Sequence, residues 1–112
     1  MSEHFTFKTR GEFIEFKRNN PNIIVKFTAT WCGPCKRIAP YFTAYYEQVK
    51  EFFKLVIIDY DESKDICSAM KVRNFPTFYS FVNGEVCQIL EGADERLLKN
   101  FFVKTIEHLK GN

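Results

Sequence analysis

The 112-residue sequence lacks the features that mark several classes of protein. No stretch approaches the run of about 20 apolar residues that a membrane-spanning helix needs. The opening residues, MSEHFTFKTRG, contain no apolar segment of signal-peptide length. The net charge of +2 is too small for the electrostatic field that dominates phosphate binding. We therefore expect a cytoplasmic protein with neither a membrane nor a nucleic acid as its partner.

The sequence also lacks the second closely spaced pair of cysteines or histidines that a structural zinc site usually has. Such a site takes four ligands, and Cys32 and Cys35 are the one closely spaced pair. The other cysteines and histidines stand apart from one another: Cys67, Cys87, His4 and His108. We expect no metal, two solvated histidines, and two cysteines that act as small buried side chains. A regulatory thiol is the alternative for Cys67 and, less so, for Cys87.

Large apolar side chains are plentiful, with 13 Phe, 5 Tyr and a hydrophobic fraction of 46%. A chain of this length can bury a hydrophobic core with them and needs no framework of disulfides to fold. No internal repeat, linker or low-complexity segment marks a boundary, so residues 1–112 are expected to form a single domain.

The first half of the chain predicts two strands and two helices. Phe5 and Phe7 alternate with polar residues, as in a short edge strand. Thr9 and Glu12 match a capping box at the start of a short helix. The run NIIVKF predicts a strand buried on both faces. From Gly33 onward, apolar residues recur at helical spacing as far as Phe53, which predicts one long helix.

Pro40 lies inside the predicted long helix, and we expect it to kink that helix rather than end it, because the periodicity continues on both sides. The second half then predicts a buried strand, LVIIDY, and a short helix for which Ser63 is the candidate cap. Asn83 and Gly84 fit the type I′ turn of a hairpin. Asp94 is placed to cap a last helix.

Strands alternate with helices along the predicted order, apart from the hairpin near the end. Such alternation favours parallel pairing, with one antiparallel hairpin added. We therefore predict an α/β fold with a central mixed five-stranded sheet flanked by four helices.

Cys32 and Cys35 stand one helical turn apart where a buried strand gives way to a helix. The free amides and dipole of a helix N-terminus favour an anion, so we expect Cys32, the more exposed sulfur, to be the nucleophile. Cys35 is then placed to displace the substrate and close a Cys32–Cys35 disulfide. Pro34 stiffens this turn without the loss of a hydrogen bond, and Gly33 leaves the approach to sulfur open.

The pentapeptide WCGPC, Trp31 to Cys35, together with Phe75-Pro76-Thr77 and Gly92, resembles the thioredoxin family, and the eukaryotic cytosolic form in particular. The resemblance covers nearly the whole chain and implies the thioredoxin fold. It implies an electron carrier that reduces disulfides of substrate proteins through Cys32 and Cys35 and binds no cofactor. We expect a monomer, although the sequence does not determine the oligomeric state. Electrons are expected from NADPH through a flavoprotein, thioredoxin reductase.

The same resemblance implies a substrate-binding surface around Cys32. Pro76 is expected to be cis and to face the dithiol. Phe75 then presents backbone groups that a substrate peptide can pair with, like an added strand. Trp31, Gly92 and Ala93 are expected to complete a shallow apolar patch.

Lys26 departs from the thioredoxin pattern, which usually has a buried Asp six residues before the nucleophile. A lysine in a buried strand either has its pKa lowered by desolvation or finds a carboxylate partner, with Asp59 and Asp61 as candidates. A neutral Lys26 could act as general base for Cys35, whereas a charged one would stabilise thiolates. In both cases we expect Lys26 to tune the redox chemistry, with a higher redox potential or a slower turnover than a thioredoxin that has Asp at this position. The alternative is that the side chain extends to solvent and tunes nothing.

Two other functions compete with a protein-disulfide reductase. The first is a docking subunit that binds a partner through Trp31 and Pro76, with weak or incidental redox activity. The second is an oxidase or isomerase of an oxidising compartment, which Pro34 and the absent signal peptide disfavour. Activity in a disulfide-reduction assay separates the first of these from the reductase.

Overall fold

Four helices and a four-stranded sheet form the part of the chain that the computed structural model describes, residues 3–111. In chain order the elements are α1 (Arg10–Asn19), β1 (Ile23–Thr28), α2 (Gly33–Glu47), β2 (Lys54–Asp59), α3 (Lys64–Ala69), β3 (Thr77–Val82), β4 (Glu85–Glu91) and α4 (Glu95–Leu109). The strands lie in the order β2-β1-β3-β4. The α/β class and the four helices are confirmed.

The expected fifth strand is reduced to a single bridge between Phe5 and Val56 on the outer edge of β2. The Phe5 N–H donates to Leu55 at 2.9 Å, and Ile57 donates to the Phe5 carbonyl at 2.9 Å. Two residues later the Phe7 carbonyl accepts a hydrogen bond from the Ser63 hydroxyl instead of a strand amide. The pairing therefore stops after one residue, and the expected fifth strand is absent from residues 3–111.

The same contact overturns the expectation that the Ser63 side chain caps α3. Ser63 stands at the N-cap position, but its hydroxyl makes no capping hydrogen bond. The other two predicted caps are confirmed. Thr9 and Glu12 form a complete capping box on α1, and the Asp94 carboxylate accepts the Leu97 N–H at 3.0 Å at the start of α4.

The strand directions confirm one part of the predicted pairing and correct another. β1 and β2 are parallel, but β3 runs antiparallel to β1 and pairs with β4 in the predicted hairpin. The 15 residues of α2 span about 22 Å, enough to return the chain along a six-residue strand of about 20 Å. The six residues of α3 span only about 9 Å, so the chain re-enters the sheet from the end at which β2 leaves it.

α2 is continuous through Pro40 but ends earlier than the periodicity predicts. Its last residue is Glu47, and Gln48 is the C-cap. Phe53 is buried, whereas Phe52 is 57% exposed. The apolar pattern beyond residue 47 therefore belongs to a turn that leads into β2, and the prediction of a helix reaching Phe53 is wrong.

The predicted hairpin turn between β3 and β4 is confirmed. Asn83 and Gly84 have φ values of 55° and 84°, as a type I′ turn requires.

Hydrophobic cores lie on both faces of the sheet, which explains why β1 is an almost continuous apolar run. Ile24 packs on the side covered by α2 and α4, and Val25 packs on the side of α1 and α3. By strand alternation Lys26 lies on the same side as Ile24, facing α2. Among residues 3–111, no helix combines the length and apolar character needed to span a membrane.

Candidate active site

Cys32 and Cys35 are placed by the junction between β1 and α2. Cys32 is the N-cap of α2, and Cys35 lies in the first turn of that helix. Their Cα atoms are 5.3 Å apart and their sulfurs form a disulfide. The predicted pairing of the two residues is therefore confirmed.

The Cys32 sulfur occupies the position of an N-cap acceptor. The Cys35 N–H donates to the Cys32 Sγ at 3.1 Å. An amide that points at this sulfur stabilises negative charge on it, as the helix N-terminus predicts. Pro34 stands in the first turn, where its missing N–H costs no helical hydrogen bond. A Cβ added to Gly33 would meet no atom within 4 Å, which agrees with an open approach at that residue.

The expectation that Cys32 is the more exposed cysteine is wrong. Cys32 is 4% exposed and Cys35 is 8% exposed. Both pack with Ala29 in a small cluster that the side chains of Tyr60 and Phe75 partly cover. The difference between the two sulfurs therefore comes from the helix N-terminus and not from exposure.

The start of β3 brings Phe75 and Pro76 to the disulfide, because β3 re-enters the sheet beside the end of β1. Phe27 pairs with Thr77, and the Phe75-Pro76 peptide bond is cis, as the family resemblance implies. The Phe75 carbonyl oxygen lies 3.4 Å from the Cys32 Sγ. A backbone group of the expected substrate surface therefore touches the reactive sulfur.

Gly92 is held next to Pro76 by a hydrogen bond from its N–H to the Pro76 carbonyl at 2.8 Å. Its φ of 99° favours glycine, and a Cβ there would meet no atom within 4 Å. Ala93 is half-buried and packs against the core beneath α2 and α4. The structure thus joins Gly92 to the site, whereas the substrate contact of Ala93 stays a prediction.

Three aromatic rings contact one another beside Cys32 and Cys35, and two of them, Tyr60 and Phe75, pack against that pair. Trp31 is 63% exposed, with ring-centroid distances of 6.3 Å to Tyr60 and 5.9 Å to Phe75. Tyr60 and Phe75 are themselves 5.4 Å apart in an edge contact. The sequence reasoning missed Tyr60. Its position directly after β2 was the available signal, since the carboxyl ends of the parallel strands β1 and β2 meet at one edge of the sheet.

Lys26 takes neither of the carboxylate partners suggested for it. Within residues 3–111 no ion pair joins it to Asp59 or Asp61; the Asp59 carboxylate instead accepts the Asp61 N–H at 2.9 Å. The Lys26 Nζ lies 4.9 Å from the centroid of the Phe42 ring. Burial lowers the pKa of its amine from the ordinary value of 10.5. Desolvation is therefore the effect that acts on this residue.

No contact between Lys26 and Cys35 is seen within residues 3–111. The amine of Lys26 instead approaches Phe42, which comes two turns after Cys35 along α2, a rise along the helix axis of about 10 Å. No hydrogen bond connects Lys26 with Cys35 in the described chain. A role as general base for Cys35 would require an intervening group or a movement, and the redox-tuning role stays a prediction.

The remaining cysteines and histidines lie away from the disulfide. Cys67 is buried in α3, where burial, together with the charge of Asp59, raises the pKa of its thiol to about 11. Cys87 is half-buried in β4, and His4 and His108 are exposed. The described residues hold no group of three or more side chains able to bind a metal ion.

Comparison with known proteins agrees with this geometry. Residues 5–104 match the family model for thioredoxin. Thioredoxin-1 of Caenorhabditis elegans is 38% identical over 105 residues, which cover 89% of this chain and 85% of that protein. Thioredoxin-1 of Saccharomyces cerevisiae is 38% identical over 95 residues, covering 83% and 89%.

Solved structures give the same result. The oxidised form of mitochondrial thioredoxin 3 from S. cerevisiae superposes with a TM-score of 0.77 at 31% identity, covering 87% of this chain and 91% of that one. The chain therefore belongs to the thioredoxin family, and its Cys32–Cys35 pair makes it a dithiol–disulfide oxidoreductase that reduces protein disulfides.

Proposed function

We propose that this protein carries electrons in the cytoplasm from NADPH, through the flavoprotein thioredoxin reductase, to disulfides of substrate proteins. One observation supports this proposal above the others: the Cys35 N–H points at the Cys32 sulfur at the N-terminus of α2. A sulfur in that position is stabilised as a thiolate, and the thiolate is the form that attacks a disulfide.

The proposed reaction has two steps. The Cys32 thiolate attacks one sulfur of the substrate disulfide, which releases the other sulfur as a thiolate and leaves a mixed disulfide. Cys35 then loses its proton and attacks the Cys32 sulfur, which releases the second substrate thiolate and closes the Cys32–Cys35 disulfide. Two electrons pass to the substrate, and solvent supplies the two protons that its new thiols take up.

The substrate surface follows from the residues around the disulfide. An extended substrate segment would lie along the backbone of Phe75, whose carbonyl already contacts the Cys32 sulfur, and pack on Trp31 and Gly92. The side chain of Trp31 suits this role, because a largely exposed aromatic ring is a typical anchor where proteins dock.

A peroxiredoxin is one class of substrate worth testing. A similar structure, with a TM-score of 0.78 and 30% identity, was described for the thiol resolving mechanism of a yeast mitochondrial 1-Cys peroxiredoxin via glutathione/thioredoxin systems. It covers 88% of this chain and 92% of that one. By analogy, a disulfide on an oxidised peroxiredoxin could accept electrons from Cys32 here.

Insulin reduction tests the proposal in two stages, first with dithiothreitol as the reductant and then with NADPH and a thioredoxin reductase. We expect wild type and the matched control Cys87→Ser to be active in both stages and Cys32→Ser to be inactive in both. If the protein is active with dithiothreitol but inactive with NADPH and each of several thioredoxin reductases, the proposed electron source is wrong and the disulfide-reductase activity still stands. A wild-type protein that is inert in both stages would favour the docking-subunit alternative.

A further inference from the structure

A cavity of about 160 Å³ opens between α2 and the strands β1 and β2, away from the disulfide. The apolar part of its wall is formed by Phe42, Leu55 and Ile57, and the side-chain amine of Lys26 also lines it. Thr43 is exposed and lies at the rim. A cavity of about 150 Å³ lined by aliphatic and aromatic side chains can hold a molecule the size of benzene. This one therefore has room for a small apolar molecule beside an amine.

Burial lowers the pKa of the Lys26 amine and so increases the share of its neutral form. The ring of Phe42, whose centroid lies 4.9 Å from the Nζ, attracts the ammonium form. The titratable groups that share the cavity are Tyr46 and Glu47 from α2 and His4 from the N-terminal segment. The Tyr46 hydroxyl donates to the Phe53 carbonyl at 2.6 Å, and the Glu47 carboxylate forms an ion pair with Lys50 at 2.7 Å.

We propose that this cavity takes up small apolar aldehydes and that the Lys26 amine condenses with them to form an imine. The unprotonated amine adds to the carbonyl carbon to give a carbinolamine, which loses water to give the C=N bond. No electron is transferred, and water is the only product released. A desolvated lysine beside an apolar wall is the arrangement in which amines act as nucleophiles toward carbonyl groups.

Lys17 offers a control within the same chain. Its pKa is also lowered by burial, but its Nζ lies over two rings, at 5.1 Å from the Phe13 centroid and 4.8 Å from the Phe81 centroid. Desolvation acts on both lysines, so a faster reaction of Lys26 with one aldehyde would not by itself require the cavity. A preference for Lys26 that depends on the size of the aldehyde would require the cavity.

The experiment uses the full chain in its disulfide form, so that the active-site thiols do not compete. The protein is incubated with butanal and cyanoborohydride, which traps imines as stable amines, and each lysine is followed by peptide mass mapping. We expect Lys26 to be labelled several-fold faster than Lys17, and we expect 1-pyrenecarboxaldehyde, which is too large for the cavity, to lose that preference. Equal labelling of the two lysines by butanal would overturn the proposal.

Two variants separate the cavity from the lysine. Lys26→Arg should remove the fast labelling and leave that of Lys17 unchanged. Thr43→Phe keeps the lysine but narrows the rim, and it should slow butanal labelling of Lys26 several-fold while insulin reduction by the same variant stays at the wild-type rate. Undiminished labelling of Lys26 in folded Thr43→Phe would show that the amine reacts from outside the cavity, and the proposal would fail.

Discussion

Cys32 and Cys67 are both buried, yet the beginning of α2 and the middle of α3 give them opposite chemistry. The Cys32 sulfur accepts the Cys35 N–H at 3.1 Å, so its charged form is stabilised. Cys67 is 2% exposed among apolar side chains, with the negative charge of Asp59 nearby, and its pKa rises to about 11. Burial alone therefore does not make a cysteine inert. A buried thiolate is stable only where a helix dipole or a positive charge compensates for its lost hydration.

The largest effect should come from removing Cys35, the second cysteine of the active-site pair. In Cys35→Ser the Cys32 thiolate keeps its place at the helix N-terminus but has no second sulfur to release the substrate. We expect insulin reduction to fall to background and a mixed disulfide between Cys32 and the substrate to accumulate, visible by mass spectrometry and removed by dithiothreitol. Cys32→Ser should give no such adduct. An adduct on Cys35 in that variant would reverse the assigned roles.

A second test measures how slowly the Cys67 thiol reacts, in contrast to the reactive Cys32. A pKa raised from 9.0 to about 11 leaves on the order of 100-fold less thiolate at neutral pH. Iodoacetamide should therefore modify Cys67 at least that much more slowly in the folded protein than in urea. Cys87, which is half-buried, provides the comparison within the same chain. Rapid alkylation of Cys67 in the folded protein would show that α3 opens readily. That result would support the alternative that Cys67 is a regulatory thiol.

The raised pKa of Cys67 also predicts how stability depends on pH. Below pH 9 the thiol is protonated in both the folded and the unfolded chain, so it has no effect. Between its ordinary value of 9.0 and the folded value of about 11, the unfolded chain loses the proton first, so stability falls as pH rises. The loss amounts to about 1.4 kcal/mol for each unit of pKa difference. Urea titrations of wild type and Cys67→Ala at pH 8 to 11 check this, since the variant should show a shallower decline.

Lys26→Asp tests whether a charge on the α2 side of β1 is felt at the disulfide. The protonated form of Lys26 stabilises thiolates, so its replacement by an anion should disfavour the reduced form and lower the redox potential; the change is smaller to the extent that burial has already made the amine neutral. A change of about 1.4 kcal/mol corresponds to roughly 30 mV for this two-electron couple. Equilibration with glutathione measures the potential, and Lys26→Met, which removes charge without adding any, should fall between the two. Equal potentials in all three proteins would assign Lys26 no redox role.

The sequence was most informative where structure depends on near neighbours. The capping box at Thr9 and Glu12, the turn at Asn83 and Gly84, and the Cys32–Cys35 pair each lie within a few residues, and each is confirmed. In such stretches the side chain that satisfies a backbone group is visible in the sequence itself.

The features that sequence reasoning missed depend on distant parts of the chain. The Ser63 hydroxyl does not cap α3 because it donates its hydrogen bond to the Phe7 carbonyl, 56 residues away in the sequence. Tyr60 joins the site because β1 and β2 end together, and the aromatic rings of Tyr60 and Phe75 pack against Cys32. The position of Tyr60 directly after β2 hints at its place in the site, but the contacts themselves require knowing which segments lie side by side: the N-terminal segment beside β2, and the start of β3 beside the end of β1.

The smallest effect should come from Asp65, which ties α3 to the start of α1. Its carboxylate accepts the Arg10 N–H at 2.7 Å and the Arg10 Nε–H at 2.7 Å, and both lower the pKa of this Asp. A lowered pKa contributes stability above the unfolded value of 3.8, and that stability is lost as pH falls through the folded value. Asp65→Asn should therefore reduce the unfolding free energy slightly at pH 7, and the difference from wild type should shrink toward pH 3. Because Arg10 is exposed and Asp65 is half-exposed, salt can screen the ion pair, and the effect should also weaken in high salt. A difference that persists unchanged in 1 M NaCl would mean that the backbone hydrogen bond, not the ion pair, holds α3 in place.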